Sequence, residues 1–433
     1  MKSKIMAAFA ATALALYAAV PVVDETEVSA TMEGNRWMVV RYKLTGAPAV
    51  VTFDVEIRDG DGVWASVGDI LKTCSGDVNR VVEPDESAFK EIRWDARTDW
   101  PDQRFNGGCI RAKVTAWAKG APPDYMVVDL DTFDQTFYTS TNSLPLGGLT
   151  NSIYRTTKLV MRRIPAAGET FVMGQATNDA ASVACAGQFH AQPYQHWVSL
   201  TNDFYMAVFE TTQTQHVKLR GDSTANSKDT ADPEKPVDAL GYNTLRGSDW
   251  PATMTPGGIL ATFRSRSGID FDIPTEAEWE FACRAGTQSA FYDGSDFADA
   301  DIGSAELGSI AWYSGNCADD SELTNDNGYL GGLQRGGLKT PNAFGLYDML
   351  GNASEWCRDY VAAYDILAQP ALAPVGAATG STRVKRGGNW HSKGAFTASS
   401  SRRGQDPTYT VDAANGGSVW ANGYRLVCPA VAK

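Results

Sequence analysis

Histidines and closely spaced cysteines, the side chains from which zinc sites are most often built, are scarce in this sequence. The 433 residues include only four histidines, His190, His196, His216 and His391, and these are scattered. The seven cysteines contain no Cys-x-x-Cys pair. Zinc sites usually take their ligands from such short spacings, so the sequence does not predict a zinc site.

Basic residues are too few to balance the acidic ones. The chain has 38 Lys and Arg against 51 Asp and Glu, which gives a formal net charge of −13 at pH 7. An acidic surface repels the phosphates of nucleic acids and of anionic lipids, so we expect no nucleic-acid partner. Calcium, a basic ligand or a sugar is compatible with this charge.

Long hydrophobic runs are missing after the first residues of the chain. Lys2 and Lys4 precede an apolar run at residues 5–19, which is the pattern of a secretory signal peptide. The run is shorter than the roughly 20 residues that a bilayer span needs, which favours cleavage over the alternative, an uncleaved membrane anchor. We therefore predict a signal peptide at 1–19, export to the periplasm, cell surface or extracellular space, and no transmembrane domain after signal cleavage.

Residues 28–118 have the pattern of a small all-β domain. Apolar and polar residues alternate at 51–57 and again at 110–116, which is the period of a half-buried strand. Several short strands in one segment predict a sandwich of the immunoglobulin or fibronectin type. Cys74 and Cys109 are the only cysteines of this segment, and a disulfide between them is plausible in an oxidising compartment.

The rest of the chain is predicted to be a linker and a second domain. Residues 119–157 are rich in Pro, Ser, Thr and Gly and predict the linker, with an additional strand at 125–130. Residues 158–433 predict a domain of short strands, long loops and few helices. In it, Thr275 and Glu278 have the spacing of a capping box that starts a helix, and Pro256 marks the start of another helix.

Six short motifs follow one another in the second domain. They are FVMG at 171–174, FYMAVFETT at 204–212, IPTEAEWEFACRAG at 273–286, PNAFGLYDMLGNASEW at 341–356, RGGNW at 386–390 and GYRL at 423–426. In this order they resemble the formylglycine-generating enzyme (sulfatase-modifying factor) family. The resemblance implies an α+β fold, a variant of the C-type lectin fold with little regular secondary structure.

The resemblance also implies a reaction that this chain is poorly equipped to perform. Family enzymes oxidise the cysteine of a Cys-x-Pro-x-Arg motif to formylglycine with oxygen and one copper(I) ion, which two thiolates bind. Here Ser392 and Thr397 occupy the two cysteine positions, Asn389 the preceding serine position, and Ser354 a tryptophan position. An alcohol stays protonated near neutral pH and is a poor ligand for copper(I), so we expect no copper.

Other residues do not restore a metal site for this oxidation. Cys428 follows the last motif and Cys283 lies in the predicted helix, but neither has a second cysteine at a spacing that predicts a shared site. Relatives that use iron bind it through histidines, usually with an additional helical domain, and the histidines here are dispersed. No residue is therefore assigned a catalytic role.

Calcium is the cofactor that the resemblance favours. In the family, a side chain at the position of Asp348, the carbonyls at Gly351 and Ala353, and the carboxylate at Glu355 surround a calcium ion, an oxygen-rich set that suits this cation. The alternative is a turn in which Asp348 bonds its own backbone. The match to the family's second calcium site, at Asn316 and the acidic loop 319–326, is poor. We therefore interpret these residues as a solvated loop.

Three functions are open on this basis. The first, which we favour, is a pseudoenzyme: a calcium-stabilised binding protein whose former substrate groove binds a peptide or glycan. The resemblance places five residues along that groove, Asn389, Trp390, His391, Arg402 and Arg403, with a core position for Trp390 and ion pairs for the arginines as the alternative. The second is a divergent but active formylglycine-generating oxidoreductase. The third is a structural surface protein whose sandwich presents the second domain to a partner.

Overall fold

The computed structural model describes residues 19–34, 36–68, 70–103, 108–175, 195–223, 232–248, 250, 254, 256–296, 305–317, 332–362, 370–408 and 421–433. The chain divides into two compact units, which we call unit 1 (residues 1–67 and 74–119) and unit 2 (residues 68–73 and 120–433). The predicted signal peptide, except its last residue, and the loop 319–326 lie outside the described residues. None of the described helices is both long and apolar enough to cross a bilayer.

Unit 1 consists of short strands in two four-stranded sheets and a separate pair. The strands are β1 (Val22–Val23), β2 (Ser29–Glu33), β3 (Trp37–Tyr42), β4 (Leu44–Thr45), β5 (Ala49–Arg58), β6 (Trp64–Ser66), β7 (Cys74–Gly76), β8 (Arg80–Val82), β9 (Lys90–Asp95) and β10 (Ile110–Ala118), and helix α1 (Ala96–Asp99) follows β9. One sheet has the order β10-β5-β6 with β8 also paired to β5, and the other has the order β2-β3-β9-β7. β1 pairs with β4.

The two sheets of unit 1 agree with the predicted sandwich. The segments with alternating polarity form β5 and β10, which pair antiparallel along the whole of β10. Phe53 of β5 contacts Trp94 of β9 with ring centroids 6.5 Å apart, so side chains of the two sheets pack against each other. Trp94 is fully buried, as expected for a large aromatic residue at the centre of a small core.

The disulfide predicted between Cys74 and Cys109 is not present, and both thiols are free. Cys74 begins β7, which pairs with β9 in one sheet. Cys109 precedes β10, which belongs to the other sheet. The prediction was wrong because it paired the only two cysteines of the segment without knowing which sheet each would join.

The described part of unit 2 contains twelve strands and six helices. The strands are β11 (Tyr125–Asp129), β12 (Gln135–Tyr138), β13 (Lys158–Ile164), β14 (Thr170–Met173), β15 (His196–Ser199), β16 (Phe204–Ala207), β17 (Ser354–Tyr360), β18 (Ala371–Leu372), β19 (Arg383–Arg386), β20 (Arg402–Gln405), β21 (Asn422–Gly423) and β22 (Val427–Pro429). The helices are α2 (Ile153–Thr156), α3 (Gln213–Arg220), α4 (Tyr242–Leu245), α5 (Ile259–Ser267), α6 (Glu276–Arg284) and α7 (Ala305–Ile310). The sheets have the orders β12-β11-β13-β16-β22, β14-β15-β18 and β20-β19-β17-β21.

The segment predicted as a linker contributes two strands to unit 2. β11 pairs antiparallel with β12 on one side and with β13 on the other. Met126, Val127 and Val128 are at most 3% exposed, so the apolar residues of β11 are part of the core of unit 2. The prediction of an additional strand at 125–130 agrees with β11. The polar residues around it, which suggested a linker, lie in turns between strands of unit 2.

Helix α6 begins as the capping box predicts. The Thr275 hydroxyl accepts a hydrogen bond from the Glu278 N–H at 3.1 Å, and the Glu278 carboxylate accepts one from the Thr275 N–H at 2.8 Å. The chain leaves the helix before Gly286, which has a φ of 98°. Helix α5 starts later than predicted, with Gly258 as its N-cap, so Pro256 precedes the helix.

Helix α6 packs against the sheet β20-β19-β17-β21. The fully buried Trp279 of α6 donates a hydrogen bond from its indole N–H to Glu355 of β17 at 2.7 Å. Because β17 also pairs with β19 and with β21, four of the six sequence motifs meet around this sheet. The described part of unit 2 is thus a mixed α and β structure with more strands than helices, in agreement with the predicted class.

Candidate functional site

The segment that carries the two replaced cysteine positions leaves β19 through two glycines. Gly387 and Gly388 have φ values of 85° and 68°, a left-handed conformation that glycine adopts without strain. A Cβ on Gly388 would lie 2.7 Å from the carbonyl oxygen of Phe396, so a larger residue does not fit. This close approach holds the start of the segment 389–397 against its end.

Asn389 closes a tight turn at the start of this segment. Its side-chain oxygen accepts hydrogen bonds from the His391 N–H and from the Ser392 hydroxyl, each at 3.1 Å. Its own N–H donates to the Ser392 Oγ at 3.0 Å. Asn389 is 5% exposed, so its amide supports the turn and is largely shielded from solvent.

Ser392 and Thr397 are both held by hydrogen bonds within the loop. The Ser392 hydroxyl bonds Asn389 as described, and the buried Thr397 hydroxyl donates to the Gly394 carbonyl at 2.8 Å. Neither position offers a sulfur atom, and a hydroxyl keeps its proton near neutral pH. The donor set therefore does not fit copper(I), and no oxidation step follows from it.

Trp390 and His391 are neighbours with different exposure. Trp390 is 4% exposed, and its N–H donates to the Asn352 carbonyl at 2.9 Å. It packs with Cys317, Leu333, Ala353 and Ala421. Trp390 is thus a core residue and does not line an open groove. His391 is half-buried with its ring 5.6 Å from that of Trp390, and burial lowers the pKa of His391, which favours the neutral imidazole.

The two arginines predicted for the groove lie on the neighbouring strand β20. Register places Arg402 opposite Arg386, and Glu276 approaches both, with Glu276 Oε1 3.1 Å from the Nε of Arg402 and 3.0 Å from that of Arg386. Arg402 is 5% exposed, so it belongs to a buried ion cluster, whereas Arg403 is half-buried. Asn389, Trp390 and His391 thus lie in one loop. Arg402 lies outside that loop, on β20, where it pairs with Glu276.

A second group of polar residues surrounds Arg425 of the last motif. The Arg425 guanidinium donates to Glu355 Oε1 from Nε at 2.9 Å and from Nη2 at 2.7 Å. It also donates to the carbonyls of Ala207 and Val208 at 3.0 Å each. Arg425 is fully buried and Glu355 is 1% exposed, so this pair is screened from water.

Two further buried carboxylates, Glu210 and Asp348, lie close to this pair. Glu210 accepts hydrogen bonds from the Ala353 N–H at 2.8 Å and from the Asn352 side-chain amide. Asp348 Oδ2 accepts one from the Gly337 N–H at 2.7 Å, while Asp348 Oδ1 is buried without a hydrogen-bond partner among the described residues.

Three buried carboxylates, those of Glu355, Glu210 and Asp348, surround the guanidinium of Arg425, and the ammonium group of Lys339 is a second positive charge that acts on Asp348. Burial raises the pKa of Asp348 to about 6. Burial, followed by the negative charges of Asp348 and Glu355, raises the pKa of Glu210 well above its usual value. Either protons or a cation can compensate such an excess of negative charge.

Three of the four residues predicted to bind calcium lie in the loop that leads into β17, and the fourth, Glu355, is the second residue of β17. Gly351 has a φ of 82°, and a Cβ there would lie 1.9 Å from the Trp312 carbonyl oxygen, so only glycine fits. The Ala353 N–H is held by Glu210, as described. In the described parts of the chain, no three His, Cys, Asp or Glu side chains converge as a set of metal ligands. A calcium ion at Asp348 and Glu355 would therefore depend on backbone carbonyls as well.

Asn316, predicted as part of a second calcium site, takes part in a turn. Its side-chain oxygen accepts from the Tyr313 N–H at 2.9 Å, and its amide donates to the Ala311 carbonyl at 2.9 Å. The acidic residues 319–326 that would complete the site are outside the described residues.

The described cysteines of unit 2 are buried, separate thiols. They are Cys283, Cys317, Cys357 and Cys428. Burial raises the pKa of Cys283 and that of Cys428 to about 12, so both are protonated at neutral pH. Among them no pair replaces the two thiolates of the family.

Sequence reasoning missed Glu210 and Arg425 as parts of the site. Both stand in quoted motifs, as the only acid in FYMAVFETT and the only base in GYRL. A single charge within an apolar motif was the available signal, since a buried charge requires a partner. The partner itself was not predictable, because Glu210 bonds Ala353 across 143 residues of sequence.

Comparison with known proteins identifies relatives for most of unit 2. Residues 157–416 match the sulfatase-modifying factor enzyme 1-like domain. The formylglycine-generating enzyme of Thermomonospora curvata is 34% identical over 122 residues, which cover 27% of this chain and 38% of that enzyme. The serine/threonine-protein kinase pkn1 of Chlamydia pneumoniae is 34% identical over 122 residues, 28% of this chain and 16% of the kinase.

The chain thus spans well under half the length of these two relatives. Among solved structures, the Treponema denticola variable protein 1 is similar with a TM-score of 0.45 and 20% identity, over 63% of this chain and 96% of that protein.

Proposed function

The chain belongs to the sulfatase-modifying factor family, and on that premise we propose that it is an exported, calcium-stabilised protein that binds a peptide or glycan and lacks the family's copper-dependent oxidation. The observation that carries this proposal is the pair Ser392 and Thr397 at the two cysteine positions. Their hydroxyls are engaged in local hydrogen bonds and cannot replace thiolates as copper(I) ligands. The family fold is kept, whereas the donor set for the reaction is not.

We propose the loop that contains Asp348, together with Glu355, as the calcium site. The unpartnered Asp348 Oδ1, the carbonyls of Gly351 and Ala353, and the carboxylate of Glu355 are oxygen ligands of the kind that calcium prefers. A divalent cation would favour the ionised forms of Asp348 and Glu210, whose pKa values are raised without it. Bound there, calcium would tie the loop to β17 and hold the adjoining segment 389–397, because Trp390 bonds the Asn352 carbonyl.

The surface for the ligand is proposed to be the exposed side of segment 389–397. His391 and Ser392 are half-buried, Lys393 is exposed, and the Ser392 carbonyl accepts a hydrogen bond from the exposed Ser314. Hydroxyl, imidazole and ammonium groups on one surface suit peptide carbonyls or sugar hydroxyls. Trp390 supports this surface from below instead of contacting the ligand.

The proposal also includes a lectin-like fold for unit 2 and export of the chain. The abundance of loops and the short strands support a lectin-like variant of the family fold for unit 2. The sequence pattern of residues 1–19 supports export, and with it a role outside the cytoplasm.

Copper(I) binding tests the loss of oxidation directly. The full chain and the variant Ser392→Cys/Thr397→Cys would be titrated with copper(I) against a chromophoric chelator under anaerobic conditions. We expect no competitive binding by the natural chain and a new tight site in the double variant, because only that variant has two thiolates at the family positions. The single variants S392C and T397C are the controls. Tight binding by the natural chain would show that another donor pair exists and would refute the proposal.

Ligand binding is tested by a peptide and glycan array screened in the presence of calcium. His391→Ala is expected to abolish binding of a hit, whereas Trp197→Ala, which removes an exposed aromatic on β15, is expected to leave it unchanged. Equal loss in both variants, or in neither, would remove segment 389–397 as the binding surface.

A further inference from the structure

A pocket of about 400 Å³ lies in unit 2 between strand β14 and the end of helix α6. It is lined neither by segment 389–397 nor by the loop 348–355. Its apolar wall contains three phenylalanines, Phe171, Phe281 and Phe344. Their rings form a continuous row, with centroids 5.3 Å apart for the first pair and 6.0 Å for the second. All three are only partly buried, so part of each ring remains open to a ligand. The pocket is large enough for one long side chain or a small amine.

The charged groups around this aromatic row favour a cation. Glu169 lines the pocket and is exposed, and its carboxylate has no ion-pair partner among the described residues. Gly286 and the last turn of helix α6 also line the pocket, but the carbonyls of that turn already accept hydrogen bonds within the protein, those of Ala282 and Cys283 from the Asn342 amide. The faces of aromatic rings also attract cations. The exposed carboxylate of Glu169 and the aromatic rings therefore both favour a positively charged ligand.

One arginine lines the pocket as well, but its charge is compensated within the protein. Arg284 is 4% exposed, and its Nε donates to Glu280 Oε1 at 2.8 Å. Its other nitrogens donate to the carbonyls of Ser289 at 3.0 Å and Gly174 at 2.9 Å. Each nitrogen of the guanidinium thus makes a hydrogen bond within the protein and its charge is paired with that of Glu280, so it opposes a bound cation only weakly.

We propose that this pocket binds a small alkylamine, with the ammonium group at Glu169 and the aliphatic stem against the phenylalanine row. The site is separate from segment 389–397 and does not require calcium. The strongly acidic composition of the chain is consistent with a cationic partner, because it raises the local concentration of cations near the surface.

The test compares a cation with a neutral molecule of the same shape. Pentylammonium and 1-pentanol would be titrated into the full chain at millimolar concentrations, and ligand-detected NMR would report binding. We expect pentylammonium to bind more tightly than 1-pentanol. Glu169→Gln is expected to weaken pentylammonium binding about two- to five-fold, the range for one exposed ion pair, with no effect on 1-pentanol. Glu83→Gln, a change at an exposed glutamate of unit 1, is the matched control and should leave both affinities unchanged.

Two outcomes would overturn this proposal. One is equal affinity for the two probes in the natural chain, which would mean that the pocket selects only for apolar shape. The other is no binding of either probe. Because Glu169→Gln changes an exposed side chain, a folding defect is not expected, and a far-UV circular dichroism spectrum of each variant checks this.

Discussion

Replacing Asp348 by asparagine is expected to stabilise the calcium-free protein and at the same time to abolish its response to calcium. Asp348 is fully buried, and burial raises its pKa from 3.8 to about 6. A group whose pKa is raised by folding adds stability below its unfolded pKa, and this stability is lost as pH rises through the folded pKa. The shift corresponds to about 3 kcal/mol, lost between roughly pH 4 and pH 7.

Asparagine has nearly the same shape and does not ionise, so it avoids this loss. In chelator at neutral pH, Asp348→Asn should therefore have a higher free energy of unfolding than the natural chain, by up to about 3 kcal/mol. Near pH 4 the two proteins should be similar. Calcium at 100 times its dissociation constant should stabilise the natural chain by about 2.7 kcal/mol and the variant hardly at all.

Urea unfolding in EDTA and in calcium, at low and at neutral pH, provides the assay. Asp61→Asn, at an exposed aspartate of unit 1, is the control and should respond to calcium and pH as the natural chain does. A variant that is less stable than the natural chain in chelator at neutral pH would refute the electrostatic reasoning. A variant that keeps the full calcium response would show that calcium binds elsewhere.

Three further predictions follow from individual contacts. Glu210→Gln removes one of the three carboxylate charges and should weaken calcium binding about tenfold without abolishing it. Isothermal titration calorimetry would measure the affinity, and an unchanged affinity would show that Glu210 does not contribute to the calcium site. Thr275→Ala removes the N-cap hydrogen bond of α6 and should lower the free energy of unfolding by about 1 kcal/mol, and an unchanged urea midpoint would contradict the cap. In a Cys185→Ser background, a thiol reagent should label the exposed Cys109 rapidly and the buried cysteines of unit 2 only after unfolding. Rapid labelling of several thiols in the native protein would contradict the burial of the unit 2 cysteines.

Local features of the fold were predictable because their causes are local. The capping box at Thr275 and Glu278 is a property of four adjacent residues, and the strands at β5 and β10 follow from alternation within each segment. The segment that forms β11 was recognised as a possible strand. Its place in the sheet of unit 2 was not, because that depends on pairing with β13, which starts about thirty residues later.

The motifs were sufficient to identify which residues form the candidate site, but not which residues surround them. The residues of segment 389–397 and of the loop 348–355 were identified, yet their environments were not. Trp390 is in the core and Arg402 is in an ion cluster with Glu276, and both depend on contacts with distant parts of the chain. The pairing of Arg425 with Glu355 across 70 residues has the same origin.

The central claim, that this family member has lost the oxidation, is tested most directly by a conversion assay. The full chain would be loaded with copper(I), mixed under oxygen with a peptide containing Cys-x-Pro-x-Arg, and the products examined by mass spectrometry beside an authentic formylglycine-generating enzyme. We expect unmodified peptide with this chain and formylglycine with the control, because Ser392 and Thr397 provide no thiolates for copper(I). Formylglycine produced by the chain itself would show that the oxidation is retained.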